Sequence, residues 1–234
     1  MHIATINSIE VSSLCDNACE YCPCKEQGNH RLVGLMPVEV FQKAIEWVSY
    51  FCKKGTQLEL NLFGVGEPTL HPKIVEMVAY ARAMLPFKQL LHLNTNGNRM
   101  TEDLALKLMD AGISQIDITG HDHRATAKTI KIFQKVGIKF NISYDFVFHP
   151  NNWAGQVPDW FAADYNLGDC PWLSRGQAMV MSDGSLTTCC IDAFGKNVFG
   201  TIHDDLSTME INESNLCGKC HHTVPQRGRL LYAV

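Results

Sequence analysis

The 234-residue chain has no run of basic residues, and its net charge of −4 and sequence pI near 6.2 offer no broad attraction for nucleic acid or an anionic membrane. It has no apolar stretch of membrane-spanning length, and Met1 to Asn7 lack the charged-then-apolar order of a secretory signal. These absences lead us to expect a cytoplasmic protein with neither a membrane nor a nucleic-acid partner. There is no cysteine between Cys52 and Cys170, although the chain carries ten. Such an uneven distribution argues against a disulfide framework and for metal ligands. The remaining composition, 46% hydrophobic and 19% charged, suits a globular protein with one sizeable core and room for a small appendage.

What is present begins with Cys15-Asp16-Asn17-Ala18-Cys19-Glu20-Tyr21-Cys22, three thiols on one short loop with an aromatic before the last. Three thiolates can hold three irons of a 4Fe–4S cluster and leave the fourth iron open. A structural zinc knuckle is the alternative, but it needs a fourth ligand. Cys24 would have to supply it with only Pro23 between two ligands, a poor geometry. CxxxCxxC with this aromatic resembles the radical S-adenosylmethionine (SAM) superfamily. The resemblance implies that the open iron chelates SAM, and that an electron from the cluster cleaves SAM to a 5′-deoxyadenosyl radical that takes hydrogen from a substrate. It also implies an electron donor such as flavodoxin or ferredoxin.

Downstream, helical and alternating patterns take turns. Pro37 opens a helix with Phe41, Ala44, Ile45, Val48 and Cys52 on one stripe, closed by Gly55. A strand follows at Leu58 to Leu62, a helix at about His71 to Leu85, and a strand at Gln89 to Asn94. Next come a helix from Thr101 to Ala111, a strand at Gln115 to Thr119, a helix from Ala125 to Val136, and a strand from Phe140 to Phe148. Strand one carries Ile9, Val11 and Ser13. This order predicts an α/β fold of parallel βαβ units. The strands also alternate polar residues, Glu10 and Ser12, Glu59 and Asn61, His92 and Asn94, Asp117 and Thr119, Asn141, Ser143 and Asp145. A sheet covered by helices on one face and polar on the other must line a hydrated cavity, so we expect a partial (β/α)5-6 parallel barrel with its chemistry at the strand C-termini.

Two loops fall at those ends. Gly64-Val65-Gly66-Glu67-Pro68 follows strand two. Its glycines permit close backbone approach to a ligand, and Glu67 with nearby carbonyls offers acceptors to an ammonium group. It resembles the GGEP motif that binds the methionine amino group of SAM, with Val65 in place of the first glycine of the pair. Asn94-Thr95-Asn96-Gly97 resembles the family's TNG segment. By the same resemblance the cofactor-binding residues are Tyr21, Gly64, Gly66, Glu67, Pro68, Asn94 and Asn96; by position Thr119 at the end of strand four and Asn141, Ser143 and Asp145 on strand five are candidates for ribose or adenine contacts, residues that are otherwise a solvated lining.

From Pro150 the pattern changes. Trp160 and Phe161 suggest a short helix; then come Cys170-Pro171-Trp172, a strand from Ala178 to Met181, a turn at Ser182-Asp183-Gly184-Ser185, and a strand running into Cys189-Cys190. The chain then delivers Cys217-Gly218-Lys219-Cys220. Four thiols in this arrangement could hold structural zinc. Their order around a hairpin resembles the twitch domain, a shortened relative of the SPASM domain. That module occurs in 2-deoxy-scyllo-inosamine dehydrogenase and, with a second cluster, in peptide maturases. The resemblance implies one auxiliary 4Fe–4S cluster on Cys170, Cys189, Cys217 and Cys220, with Cys189 the ligand of the pair. Cys190 is then a reactive thiol or a small buried residue. We expect two domains, a radical SAM barrel at 1–150 and a hairpin and helix cluster-binding subdomain at 151–234.

An auxiliary cluster suits net oxidation of the substrate. Asp117, His121, Asp145 and Arg175 are the candidate acid–base or partner groups. Strand one begins within ten residues of Met1 with no peptide-recognition domain before it, which favours a small molecule such as a carbohydrate or cyclitol over a peptide. A peptide maturase, by epimerisation or crosslinking, is the second reading. A non-catalytic zinc-binding module is the reading from another class, and it leaves the alternating strands and glycine loops without purpose.

Overall fold

The computed structural model describes residues 1–144, 153–157 and 170–220. Asp145, the end of the fifth expected strand, and Trp160 and Phe161 lie outside them. The elements are β1 (Thr5–Ile9), α1 (Val38–Lys54), β2 (Leu60–Leu62), α2 (Ile74–Met84), β3 (Leu91–Thr95), α3 (Glu102–Asp110), β4 (Gln115–Thr119), α4 (His123–Val136), β5 (Phe140–Ser143), α5 (Pro171–Ser174), β6 (Gln177–Val180), β7 (Ser185–Thr187) and β8 (Val198–Thr201). They build one eight-stranded sheet in the order β5-β4-β3-β2-β1-β6-β7-β8, open at both ends. The six strands from β5 to β6 are parallel, and β7 and β8 continue antiparallel. The fold is thus α/β, a barrel that does not close.

The local chemistry explains most boundaries. Gly55 takes φ 75° to end α1, where the charges of Lys53 and Lys54 complement the helix dipole. Pro37 proves to be the cap before α1. The Thr101 hydroxyl accepts from Leu104 N–H at 3.1 Å and starts α3. Helix α4 starts two residues before the expected Ala125 because Asp122 caps it, its carboxylate accepting from Ala125 N–H at 2.7 Å. The first strand is shifted: β1 is Thr5–Ile9, and the alternation through Val11 and Ser13 reports an extended continuation that bridges antiparallel to Leu35.

Strand register explains the two faces of the sheet. Ser8, Asn61, His92 and Gln115 stand side by side across four strands, and Asn94, Asp117 and Asn141 form a second polar row. Between them run apolar rows such as Leu62, Leu93, Ile116 and Phe140. The helices cover the apolar face, where Phe41, Ile45, Met77 and Phe133 are fully buried. The polar face turns inward. Glu10 departs from the expected pattern: it is fully buried in an ion pair and does not line a wet cavity.

The hairpin of the 151–234 segment belongs to the same sheet, because β6 pairs parallel with β1 from Thr5 to Ile9. A buried network fastens this junction. Arg31 Nη1 and Nη2 donate to Glu10 Oε2 and Oε1 at 2.8 and 2.9 Å, and Arg31 Nε donates to the Ala193 carbonyl at 2.7 Å. Glu10 also accepts from Val65 N–H at 3.0 Å and Ser182 N–H at 3.2 Å. One carboxylate therefore joins the end of β1, the glycine loop and the β6–β7 turn.

Candidate active site

The cysteine loop hangs from the extension of β1, and the glycine loop after β2 holds its root. A Cβ on Gly66 would stand 2.3 Å from the Ser12 carbonyl oxygen and 2.6 Å from that of Leu14, and Glu67 N–H donates to Leu14 at 2.7 Å. A Cβ on Gly64 would strike Glu10 Cγ at 2.4 Å. The close approach these glycines permit is to the chain itself, and both also line the cavity described below. Val65 packs with Ala193 and Phe194 and with Cys22 and Cys24, a contact that a glycine there would lack.

Glu67 is nearly completely buried, and its carboxylate accepts four hydrogen bonds. They come from Thr69 N–H at 3.1 Å, Thr69 Oγ1 at 2.5 Å, Thr95 Oγ1 at 2.8 Å and Asn96 N–H at 2.7 Å. Burial pushes its pKa upward against these donors. Half of these bonds tie Glu67 to Thr69 just beyond it and half fix the 94–97 turn, so most of its acceptor capacity is spent within the protein and backbone carbonyls are the main acceptors left for an ammonium group. That turn in turn docks on the cysteine loop. Asn96 Nδ2 donates to Asp16 Oδ1 at 2.8 Å and lies 3.8 Å from Cys15 Sγ, and Asn98 Nδ2 donates to Asn17 Oδ1 at 2.8 Å.

These loops enclose a cavity of about 270 Å³. Of the residues expected there, Cys15, Cys19, Cys22, Tyr21, Gly64, Gly66, Glu67, Asn94, Asn96, Thr119 and His121 line it. Pro68, Asp117, Ser143 and Arg175 do not. Pro68 is buried at the start of a short 3-10 turn, Asp117 accepts from Gln115 Nε2 at 2.6 Å, and Arg175 is exposed just after α5. The structure therefore keeps His121 alone among the described acid–base candidates at the cavity wall. Sequence reasoning missed Trp153, Trp172 and Ile191, which also line it. Trp153 and Ala154 take φ 50° and 55°, the left-handed region that costs non-glycine residues about 1–3 kcal/mol each. They are held there by Trp153 Nε1 donating to the Tyr21 carbonyl at 2.9 Å and by Gln156 Nε2 donating to Trp153 and Ile191 carbonyls, each at 2.7 Å.

The donor set fits a cluster with SAM beside it. A hydrogen bond from the Cys24 thiol brings Cys15 down to about 7, against burial, whereas burial pushes Cys22 up to about 12 and also raises Cys19. Thiolates so placed are stabilised by iron binding, which displaces their protons. Asn94 Oδ1 is buried without a hydrogen-bond partner, an acceptor waiting for a ligand's N–H or O–H at the cavity wall.

A smaller cavity lies behind the first. Cys170, Cys189, Cys217 and Cys220 all line it, whereas Cys190 faces the larger cavity, and Trp172 and Ile191 border both. Burial pushes the Cys189 thiol strongly upward and that of Cys190 to about 12.

Residues 9–124 match the model of the radical SAM superfamily. The chain belongs to that superfamily. Over 109 residues it is 28% identical to the tungsten-containing aldehyde ferredoxin oxidoreductase cofactor-modifying protein of Pyrococcus furiosus, a match covering 46% of this chain and 28% of the relative's length. The fold of this radical SAM protein is similar to that of BtrN in complex with AdoMet and 2-DOIA, with a TM-score of 0.65, 21% identity, and coverage of 89% of this chain and 85% of that one. It is also similar to native anSMEcpe with bound AdoMet and Cp18Cys peptide, with a TM-score of 0.60, 15% identity, and coverage of 92% and 86%. Among the described residues no helix is long and apolar enough to cross a membrane.

Proposed function

We propose that this radical SAM protein is an oxidoreductase that takes hydrogen from a hydroxyl-bearing small molecule, such as a carbohydrate or cyclitol, and passes the second electron to an auxiliary 4Fe–4S cluster on Cys170, Cys189, Cys217 and Cys220. The observation that carries this reading is the division of the Cys189-Cys190 pair between two adjoining cavities. It puts a four-thiol set directly behind the wall of the cavity that Cys15, Cys19 and Cys22 line.

When those three thiolates hold a cluster, it supplies the electron that cleaves SAM and so the abstraction of a substrate hydrogen. Oxidation of an alcohol to a ketone then releases one more electron and the hydroxyl proton. Trp172 and Ile191 border both cavities, and Cys170, Cys189, Cys217 and Cys220 would hold a cluster able to accept that electron. His121 is placed to take the proton, since burial keeps its imidazole neutral by lowering its pKa. Asn94 Oδ1 offers the substrate or SAM an acceptor, and Trp153 and Trp172 help to exclude water. Four thiols spread around a cavity suit a cluster, which takes one thiolate per iron, better than zinc, which draws four ligands to one point. A small electron carrier such as flavodoxin or ferredoxin is the partner this chemistry requires.

The test is anaerobic iron and sulfide analysis of the protein beside its Cys15→Ala/Cys19→Ala/Cys22→Ala variant, followed by a substrate screen scored by deoxyadenosine release. About eight irons in the parent and about four in the variant are expected. A variant that keeps zinc but no iron overturns the auxiliary-cluster reading. Deoxyadenosine release with a precursor peptide and with no sugar or cyclitol moves the substrate to the peptide class.

A further inference from the structure

The short turn from Trp153 to Gln156 stands between the two thiol sets and touches both. On one side Trp153 lines the larger cavity and joins Val65 and Phe194 in the apolar cluster that also takes in Cys22. Its indole Nε1 donates to the Tyr21 carbonyl at 2.9 Å, inside the cysteine loop. On the other side Ala154 lines the smaller cavity and packs with Ile191 and Cys220. A Cβ added to Gly155 would stand 2.8 Å from Cδ of Lys219, between Cys217 and Cys220. Gln156 ties the turn to the chain that leaves Cys189-Cys190. Its Nε2 donates to the Ile191 carbonyl at 2.7 Å, and its Oε1 accepts from Phe194 N–H at 3.1 Å. The same Nε2 donates to the Trp153 carbonyl at 2.7 Å and closes the turn on itself.

Trp153 and Ala154 hold φ at 50° and 55°, and Gly155 follows at 80°. Two non-glycine residues stay in the left-handed region only where their surroundings over-determine them. Here the surroundings belong to both thiol sets, so the turn keeps its shape only while both walls are in place. Bonds from Cys189, Cys217 and Cys220 to one bound group would take away the freedom of the 189–194 and 217–220 segments to shift. Gln156 and Ala154 then fix the turn, and the Trp153 indole fixes the cysteine loop at Tyr21. We propose that Trp153 and Gln156 are positioning residues that couple the two sites, so that filling Cys170, Cys189, Cys217 and Cys220 tightens the binding of SAM beside Cys15, Cys19 and Cys22. The coupling is reciprocal, because linkage between two binding equilibria acts equally in both directions. The inference rests on the proposed reading of two filled thiol sets, and it is independent of the substrate and of whether the second set holds a cluster or zinc.

The experiment is a double-mutant cycle read by SAM affinity, measured by anaerobic equilibrium dialysis on the reconstituted protein. Cys217→Ser/Cys220→Ser empties the second set and should weaken SAM binding by about tenfold in the parent background. The same change should cost less than about twofold in Trp153→Phe, which keeps an aromatic wall without the indole donor, and in Gln156→Met, which keeps the length without the amide. An equal loss in every background overturns the proposal, and so does no loss in the parent. Should the double cysteine variant fail to fold, amide hydrogen exchange decides through the reciprocal effect. SAM added to the reconstituted parent should slow exchange across residues 189–194, and Trp153→Phe should abolish that slowing; no slowing in the parent overturns the proposal. A parent whose second set holds no metal shows in metal analysis and removes the reading of that site together with this inference, whereas metal in both sets with additive losses of affinity refutes the inference alone.

Discussion

Arg31→Met should unfold the junction between the two halves of the sheet more readily than any surface substitution. Arg31 and Glu10 side chains are 6% and 0% exposed, and the guanidinium engages both carboxylate oxygens at 2.8 and 2.9 Å. Removing the arginine leaves a carboxylate buried with only the Val65 and Ser182 N–H donors. Breaking a buried pair on one side costs about 3–5 kcal/mol, because the remaining charge is desolvated without compensation. The lost Nε donation to the Ala193 carbonyl adds about 1 kcal/mol. For a chain of this length each kcal/mol lowers the melting temperature by about 2–4 °C, so a drop of roughly 8–24 °C is expected in anaerobic calorimetry at a fixed scan rate. Glu10→Gln/Arg31→Met removes both charges and keeps an oxygen for Val65 N–H. It should be more stable than the sum of the single changes predicts, by about 1–3 kcal/mol of coupling. A single-variant loss below about 1 kcal/mol, the worth of an exposed pair, or strict additivity in the double variant would refute the reasoning.

Cys189→Ser should remove about four irons while Cys190→Ser keeps all of them, because only Cys189 shares a cavity with Cys170, Cys217 and Cys220; iron analysis reads both, and the reverse pattern would sink the assignment. Gly66→Ala forces a methyl into the Ser12 and Leu14 carbonyls, so iron bound by the N-terminal loop and SAM affinity should fall together while far-ultraviolet circular dichroism stays near that of the parent. His121 is depressed below its ordinary 6.5 by burial, so the folded state binds fewer protons than the unfolded one as pH drops through that value. Stability should therefore decline below about pH 6.5, and His121→Gln should flatten that decline; equal pH profiles by thermal melting would show that His121 is not buried as described.

Much of the scaffold was legible because it obeys short-range rules. The thiol spacing of Cys15, Cys19 and Cys22, the glycine stops at Gly55 and Gly137, the Thr101 cap and the polar alternation of β3 and β4 each arise from the residue and its near neighbours. The sequence by itself determined the alternating strands and helices, the inward polar face and the two cysteine groups. Only the tertiary structure decided what meets what. It paired β6 with β1 over a separation of about 170 residues, and it buried Glu10 against Arg31. It turned Gly66 and Glu67 toward the cysteine loop, left Arg175 outside the site, and sent Cys189 and Cys190 into different cavities. Alternation and capping are local consequences of backbone geometry, readable within a few residues. Ion pairing, close backbone contact and the partition of neighbouring thiols depend on chains brought together from far apart, and nothing in their own sequence neighbourhood encodes the partner.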